Sequence, residues 1–310
     1  MVKVDACGIC GTDMHFARSD ASEWQSFGHE IAGVVVAKGK GVSNVKEGDA
    51  VVIESGSYNP YSSLSRNGRN DLDNTAPGIF WHEKSGTMGF ADYVLAYKQS
   101  LVPYHGLTPE VACLTEPIGV AVDMTYAADI QLGNDVMVFG LGAIGLMSIP
   151  IVKMKGASRI YAVNRSGGKR AEVASEFGAD EVILTSETPL EETMFRKGGV
   201  DRALVSADPQ VLPDVMQYMN YGGFISFIGI NTPNGDITFN INDFHFNKLQ
   251  LRASHAAPAL YFPLVLELLQ DKHIDGDKLI SHVITLDELE DGMILMRDNR
   301  QEVLKIVVKP

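Results

Sequence analysis

Short apolar runs separated by glycine-rich turns dominate the first third of the chain. Runs such as EIAGVVVAKGKG and GDAVVIESG indicate β-strands, and no long stretch shows a helical period. From about residue 121, strand segments such as DVMVFG and RIYAVN alternate with helical segments such as KRAEVASEFG. Because this alternation is typical of βαβ units, it predicts an α/β protein with a doubly wound parallel sheet.

These patterns divide the chain into three segments. Residues 1–120 are predicted to form a β domain, and residues 121–258 the parallel sheet with its helices. Residues 259–310 contain helical ALYFPLVLELLQ, the segment DELEDGMILM and a last strand, VLKIVVK. Since this last segment is too short to bury a core of its own, we expect it to fold back onto the first domain.

Composition and charge exclude several classes of protein. The chain has 310 residues, 45% of them hydrophobic, and a formal net charge of −13. An acidic chain without a Lys/Arg-rich run argues against a nucleic-acid partner. No apolar run is long enough to span a membrane, and the start of the sequence lacks the pattern of a signal peptide. Three cysteines are too few for a disulfide framework, so we expect a cytoplasmic protein with no membrane partner.

The segment DVMVFGLGAIG carries the spacing G-x-G-x-x-G as Gly140, Gly142 and Gly145. It follows an apolar strand and begins a helix, which is the context that makes this pattern specific for dinucleotide binding. The glycines allow a tight turn, a close approach of the backbone to the pyrophosphate and packing of helix on strand. With Ala143 and Ile144, they are the predicted pyrophosphate site at the helix N-terminus.

The end of the second strand of this unit bears on the choice between NAD and NADP. An NAD-preferring site of this kind places a carboxylate there to bind the ribose hydroxyls. Here the strand RIYAVN ends in Asn164, followed by Arg165 and, at the next helix, Lys169 and Arg170. A guanidinium can bind a 2′-phosphate, so the sequence favours NADP. In the alternative interpretation, Arg165 stacks on adenine and Asn164 serves NAD.

Residues suited to zinc cluster near the start of the chain. GICGTDMH offers Cys10, Asp13 and His15, and FGHE offers His29 and Glu30. Thiolate and imidazole suit Zn²⁺, and a catalytic zinc needs three protein ligands with one position open. Spacing alone leaves two interpretations, because a buried cysteine and a lone histidine are also common core residues.

Several motifs stand together in a familiar order: GICGTDMH, GHE, GDAVV, GFADYV, ACLTEPIGVAV, GLGAIG and EFGADEVI. In this order the chain resembles the zinc-containing medium-chain dehydrogenases over nearly its whole length. The TEP motif is more similar to the sorbitol and sugar dehydrogenase branch than to simple alcohol dehydrogenases. The resemblance implies a GroES-like β-barrel catalytic domain and a Rossmann domain, with the active site in the cleft between them.

The resemblance also implies a set of zinc ligands. Cys10 and His29 match the first two catalytic ligands, and Glu116 stands at the third position. Glu30, beside His29, ligates in some members, so the two glutamates compete for direct contact with the metal. Zinc in such a site supplies a Lewis acid that polarises the hydroxyl of the substrate.

Three further residues match the proton relay and its support. Thr12 corresponds to the hydroxyl that receives the proton of the alcohol, and His15 to the imidazole that passes it towards solvent. Asp13 matches the carboxylate that orients a zinc-ligating histidine.

The sequence departs from the family in two places. Many relatives have a lobe with four cysteines that bind a structural zinc, but the corresponding positions here are Asn59, Ser62, Ser65 and Asp73. These residues cannot form a thiolate site, so we expect one zinc per chain. The lobe must then be held by its own packing or by a partner subunit, and we expect it to be mobile. Relatives also have strands before the one that leads to GICGTD, and their absence here predicts an open sheet edge.

The leading hypothesis is a zinc-dependent oxidoreductase that transfers a hydride between a polyol, sugar or secondary alcohol and NAD(P). The alternatives are a catalytically weakened or inactive dinucleotide-binding homologue, or a simple alcohol dehydrogenase. The expected partners are a small-molecule substrate and a second copy of the chain. The resemblance implies a homodimer or homotetramer joined through the Rossmann domain, with the strand near LQLRASH as the candidate edge.

Overall fold

The computed structural model describes residues 1–17, 26–56, 58–73, 75, 88–229, 235–255 and 260–310. The chain splits into two compact units: Met1–Gly119 with Ala256–Pro310, and Val120–His255. Within the described ranges, no helix combines the length and the apolar character needed to cross a membrane.

The secondary structure follows the predicted change from strands to alternating strands and helices. The strands are β1 (Val2–Gly8), β2 (Glu30–Val35), β3 (Ala50–Ile53), β4 (Tyr93–Val94), β5 (Leu101–Pro103), β6 (Asp135–Phe139), β7 (Arg159–Asn164), β8 (Glu181–Leu184), β9 (Val200–Val205), β10 (Met219–Phe227), β11 (Gln250–Ala253), β12 (Ile280–Thr285) and β13 (Lys305–Lys309). The α-helices are α1 (Gly11–Phe16), α2 (Ser63–Arg66), α3 (Pro109–Ala112), α4 (Thr115–Ala127), α5 (Ala143–Met154), α6 (Lys169–Glu176), α7 (Leu212–Met216), α8 (Ile241–Phe246), α9 (Phe262–Gln270) and α10 (Leu289–Asp298).

In the first unit, β1 is a central strand of the sheet and pairs with β2, β4 and β13. The sheet runs in the order β12-β13-β1-β2-β3-β5, and β4 also pairs with β1. The β1 residues Val2, Val4 and Cys7 are buried in an apolar core that they share with β2, β3, β4 and β5. Burial of these side chains fixes the register of β1, because a slip of one residue would turn them to the other face.

The register of β1 brings distant parts of the chain together at one end of the strand. Gly8 lies opposite Glu30 of β2 and opposite Val307 of β13. Cys10 lies two residues after the end of β1, and His29 directly precedes β2. Antiparallel pairing therefore places these two candidate ligands beside each other, close to the C-terminal strand.

The prediction that the first domain contains short strands is confirmed, but it overlooked the helix α4. This helix covers the TEPIGVAVDMTYA segment and is buried along most of its length. A helix buried on all sides needs no polar face, so its sequence lacks the amphipathic period by which helices are recognised.

In the described part of the second unit, six parallel strands lie in the order β11-β10-β9-β6-β7-β8. This arrangement confirms the predicted doubly wound sheet. The strand order reverses between β6 and β9, and ligands of such sheets bind outside the carboxyl ends of the strands at that point. β6 leads at its carboxyl end into Gly140 and then α5, so the glycine-rich turn lies at the expected position. β11, within LQLRASH, lies at the edge of the sheet as predicted.

Candidate metal centre and dinucleotide site

Cys10 is fixed by the first turn of α1. It is the N-cap of this helix, and its Sγ atom accepts a hydrogen bond from the backbone N–H of Thr12 at 3.5 Å. In return, the carboxylate of Asp13 accepts from the backbone N–H of Cys10 at 2.8 Å. This reciprocal capping box satisfies helix N–H groups that would otherwise lack partners. The thiol is therefore held in a defined position at the start of the helix.

Asp13 connects this helix to the second candidate ligand. The carboxylate is completely buried and accepts a hydrogen bond from the backbone N–H of Gly28 at 3.2 Å. Its Oδ1 atom also lies 3.5 Å from Nδ1 of His29. Asp13 thus contacts both the segment that carries Cys10 and the segment that carries His29.

Three side chains converge to form the candidate metal centre. A ligand atom from each of Cys10, His29 and Glu30 lies within 4.8 Å of the other two. His29 and Glu30 are buried, whereas Cys10 is partly exposed. Thiolate, imidazole and carboxylate are the three donor types that proteins use for Zn²⁺, and three of them leave one position for a substrate. The donor set therefore fits a catalytic zinc.

Glu30 forms a buried ion pair with Lys305, which the sequence did not single out. The Oε1 atom of Glu30 accepts from Nζ of Lys305, and both side chains are almost fully buried, with exposures of 0% and 3%. Burial disfavours the charged lysine, but the nearby carboxylate of Glu30 outweighs this effect and raises the pKa of Lys305. The other oxygen of Glu30, Oε2, is buried and accepts no hydrogen bond from the described residues. A buried acceptor without a donor is costly, and a bound cation would satisfy it.

Glu116, the fourth predicted ligand, lies next to this set rather than within it. It is buried near the start of α4, and its Oε1 atom accepts from the hydroxyl of Ser55 at 3.5 Å. Burial raises the pKa of Glu116 to about 7, while the charge of His29 opposes the shift and that of Glu30 adds to it. These interactions place Glu116 close to both residues. Within the described chain, Glu30 rather than Glu116 completes the compact three-ligand group.

The centre concentrates acidic groups away from water. Burial lowers the pKa of His29, but the hydrogen bonds with Asp13 and Cys10 and the charge of Glu116 outweigh burial and raise it well above its ordinary value. Buried anions favour any nearby positive charge, whether it is a proton on His29 or a metal ion. A divalent cation bound here would compensate the carboxylates more effectively than Lys305 does alone.

The two predicted relay residues lie at different depths along α1. The hydroxyl of Thr12 lies 3.6 Å from the Sγ atom of Cys10, so it borders the metal centre. His15, one turn further along the helix, is exposed. α1 therefore carries one hydroxyl beside the candidate ligands and one imidazole at the surface.

The glycine-rich turn of the second unit leaves space for a dinucleotide. Gly140 has a φ of +95°, and a Cβ atom there would meet the backbone N of Ala207 at 2.8 Å. A Cβ atom on Gly145 would meet the carbonyl oxygen of Gly140 at 1.9 Å, so α5 packs too closely on the turn for any side chain. Gly142 is different, since a Cβ atom there would enter open space. It precedes Ala143 and Ile144, the first residues of α5.

The arrangement at this turn suits a phosphate. Gly142 is the N-cap of α5, and no side chain caps the helix there. Uncapped N–H groups at a helix N-terminus attract anions, both through hydrogen bonds and through the helix dipole. The residues present therefore fit the pyrophosphate of a nicotinamide dinucleotide.

The residues that bear on cofactor choice flank the same turn. The side chain of Asn164 accepts from the backbone N–H of Leu141 at 3.4 Å and donates to the carbonyl oxygen of Ser166 at 2.8 Å. Arg165 is exposed. Lys169, at the start of α6, is exposed and lies 3.7 Å from a carboxylate oxygen of Glu172. Asn164 thus stabilises the loop, whereas the guanidinium of Arg165 is accessible to solvent.

Two contacts of the metal centre were not found from the sequence. Lys305 could have been suspected, because it is a charge at the start of the otherwise apolar segment KIVV. The contact between Ser55 and Glu116 leaves no comparable signal, since a serine after a strand is ordinary. Both contacts join positions far apart in the chain, so they depend on strand pairing that the local sequence does not specify.

Comparison with known proteins identifies the family of the chain. Residues 1–106 match the family model described as alcohol dehydrogenase GroES-like domain, and residues 143–271 match zinc-binding dehydrogenase. (R,R)-Butanediol dehydrogenase from Bacillus subtilis is 31% identical to the chain over an alignment of 328 positions, which covers 100% of this chain and 92% of that protein. L-threonine 3-dehydrogenase from Pyrococcus abyssi is also 31% identical, with coverages of 100% and 91%.

A solved structure shows the same fold. It is that of a zinc-binding dehydrogenase from Sinorhizobium meliloti bound to NADP, which has a TM-score of 0.88 and 25% identity over 100% of this chain and 91% of that one. The predicted family and fold class are confirmed by these matches together. The chain belongs to the zinc-containing medium-chain family of NAD(P)-dependent alcohol and polyol dehydrogenases.

Proposed function

We propose that this chain oxidises a secondary alcohol, polyol or sugar, or reduces the corresponding carbonyl, by hydride transfer to or from NAD(P). The observation that carries the proposal is the group formed by Cys10, His29 and Glu30, in which a buried carboxylate oxygen of Glu30 lacks a donor among the described residues. A zinc ion bound there would polarise the hydroxyl or carbonyl of the substrate.

Each residue of the centre has a proposed role. Cys10, His29 and Glu30 hold the metal, and Glu116 lies beside them as a second carboxylate that can exchange with Glu30. Asp13 keeps the ring of His29 in the orientation needed for ligation, since a carboxylate on the second nitrogen fixes the imidazole.

The proton of the alcohol leaves by a separate route. The hydroxyl of Thr12 lies beside the candidate ligands and can accept this proton while donating its own. His15 is exposed on the same helix, so it is the proposed exchange point with solvent.

The three segments have separate tasks in this proposal. Residues 1–120 supply the metal centre, and residues 121–258 bind the dinucleotide through Gly140, Gly142 and Gly145. Residues 259–310 return to the first unit and supply Lys305 to Glu30. We also propose a cytoplasmic location, because the three cysteines are unpaired thiols.

The names of the relatives narrow the substrate class. Butanediol in its (R,R) form and threonine each carry a secondary hydroxyl next to a second polar group. We therefore place a secondary alcohol with a neighbouring hydroxyl or amino group first among the candidates.

A substitution of Cys10 tests the metal centre and the activity together. The variant Cys10→Ser should bind no zinc above background and show no alcohol oxidation, because removal of the thiolate leaves two of three ligands. Cys113→Ser is the matched control for loss of a free thiol, since the Cys113 thiol bonds only the carbonyl oxygen of Glu110 among the described residues. Metal analysis and assays with butanediol, threonine and sorbitol provide the measurements.

The outcomes separate an enzyme from an inactive homologue. Wild-type protein and Cys113→Ser are expected to carry about one zinc per chain, because the described residues contain one mixed ligand set. If Cys10→Ser retained full zinc and full activity, the proposed centre would be wrong. Zinc without turnover of any substrate in the wild type would favour the inactive homologue.

For the cofactor, we propose a preference for NADP. Asn164 brings no negative charge to the end of β7, and the exposed guanidinium of Arg165 follows it. Such a guanidinium can form two charge-assisted hydrogen bonds with a 2′-phosphate.

The double variant Asn164→Asp, Arg165→Leu tests this preference. It should shift the ratio of kcat/KM towards NAD by about tenfold or more, corresponding to about 1.4 kcal/mol of differential transition-state binding. An aspartate can still accept from the N–H of Leu141, so the loop retains that hydrogen bond. Arg300→Leu, which removes an exposed guanidinium from the first unit, should leave the ratio unchanged. A wild-type enzyme that prefers NAD tenfold would overturn the assignment.

The oligomeric state proposed is a homodimer or homotetramer joined through the second unit. β11 pairs only with β10 among the described strands, so its other edge is available to a second copy. Beside it, Tyr221, Ile241 and Phe246 expose 68%, 64% and 72% of their surface. Exposed apolar side chains grouped beside an open strand are typical of a subunit interface.

Sedimentation tests this assembly. The wild type should sediment as a dimer or tetramer, and Phe246→Asp should shift it towards monomer because a charge there opposes burial. Met194→Asp is the control, since Met194 is even more exposed but lies in a different segment of the same unit. A folded wild-type monomer would contradict the proposal.

A further inference from the structure

A hydrogen-bond network centred on Asp73 connects the described residues between positions 59 and 75, which form the lobe that follows β3. This carboxylate is 9% exposed, although the neighbouring residues of the lobe are mostly exposed. The hydroxyl of Ser65 donates to its Oδ2 atom at 2.5 Å. The backbone N–H and the hydroxyl of Thr75 donate to its Oδ1 atom at 3.0 and 2.6 Å. Three donors from two sides of the lobe therefore meet at one acceptor.

Asn59 extends the network to the start of the lobe. Its backbone N–H donates to the hydroxyl of Ser65 at 3.1 Å, and its side-chain amide donates to the hydroxyl of Thr75 at 3.0 Å. The hydroxyls of Ser65 and Thr75 thus each accept a hydrogen bond from Asn59 and donate one to Asp73. Hydrogen bonds in such a chain strengthen one another, because each polarises the next. The result is a closed set of contacts among residues 59, 65, 73 and 75.

Ser62 completes the group. Its hydroxyl caps α2 by accepting from the backbone N–H of Leu64 at 3.2 Å, and its backbone N–H donates to the carbonyl oxygen of Asn59 at 3.0 Å. Hydrogen bonds from Ser65, Thr75 and Ser62, in that order of size, lower the pKa of Asp73 well below its ordinary value. The carboxylate is therefore ionised and saturated with donors.

The four positions that carry zinc-binding cysteines in many relatives are close together here, but they are occupied by Asn59, Ser62, Ser65 and Asp73. An amide, two hydroxyls and one carboxylate do not form a zinc site, and the oxygen atoms of Asp73 already accept hydrogen bonds from the protein. The residues present do not fit a structural metal.

We infer that Asp73 is the hub of a metal-free clasp that holds this lobe, in place of the structural zinc found in many members of the family. The clasp consists of Asn59, Ser62, Ser65, Asp73 and Thr75. It stabilises the lobe through charge-assisted hydrogen bonds, which are stronger than those between neutral groups. None of these five residues belongs to the group of Cys10, His29 and Glu30.

Limited proteolysis of the full-length protein tests the clasp. α2 ends at Arg66, a trypsin site within the lobe, and cleavage of a native segment follows the population of its open form. Asp73→Asn weakens several bonds at once and should raise the rate of cleavage at Arg66 about tenfold or more. Ser65→Ala should raise it by a smaller factor, because it removes one hydroxyl of the network.

Two matched controls come from the same lobe. Asp71→Asn makes the same change of charge at a residue that pairs with Arg69, and Ser63→Ala removes a hydroxyl from an exposed position of α2. Both should be cleaved at Arg66 at the wild-type rate. If Asp73→Asn and Ser65→Ala were cleaved no faster than their controls, the clasp would be refuted. If Asp73→Asn fails to fold, the comparison of Ser65→Ala with Ser63→Ala still tests the clasp.

Metal analysis of the same variants distinguishes a clasp from a hidden metal site. Asp73→Asn and Ser65→Ala should retain the zinc content of the wild type. A wild type with two metal equivalents, one of which is lost in either variant, would show that the network holds a cation and would overturn the inference. Neither readout depends on catalysis, so the clasp can be tested even if the proposed substrate class is wrong.

Discussion

Glu30 places a negative charge in the interior of the first unit, and the surrounding structure compensates it. A buried carboxylate is unstable unless it is paired and hydrogen bonded. Lys305 pairs with one of its oxygen atoms, and the pairing of β1 with β2 and with β13 brings the two side chains together. The other oxygen is left for the metal in the proposed centre. The ion pair thus links β2 to the last strand, β13, and the same carboxylate completes the set of ligands in the proposed centre.

This constraint explains why the candidate centre is compact. The capping box of α1 fixes Cys10, and the buried carboxylate of Asp13 contacts both this helix and His29. Glu116 adds a further carboxyl group whose burial raises its pKa to about 7. An assembly of buried acids with one lysine is poorly balanced by itself, and a divalent cation restores the balance. The acidic groups are therefore more readily understood as a metal site than as packing.

The sequence predicted those features that depend on local pattern. The motif around Cys10 and the G-x-G-x-x-G turn specify chemistry within a few residues. The predicted strand RIYAVN corresponds to β7, and the helix predicted to begin at the glycine-rich turn corresponds to α5. Features that depend on distant pairing were not predictable. Glu30 and Lys305 are separated by 275 positions, and no local rule selects that partner.

The helix α4 and the lobe show two other limits. α4 is apolar on most sides, so its sequence has no amphipathic period. For the lobe, the loss of thiolates was evident, and the sequence predicted a mobile segment. The network around Asp73 was not evident, because serine, threonine and asparagine are equally common in unstructured loops.

The central claim is that the chain binds one zinc through one sulfur atom together with nitrogen and oxygen atoms. X-ray absorption at the zinc edge of the purified holoprotein measures this directly. The account predicts one sulfur at about 2.3 Å together with nitrogen and oxygen donors at about 2.0–2.2 Å. A spectrum dominated by four sulfur atoms, or a fully active protein without zinc, would contradict it.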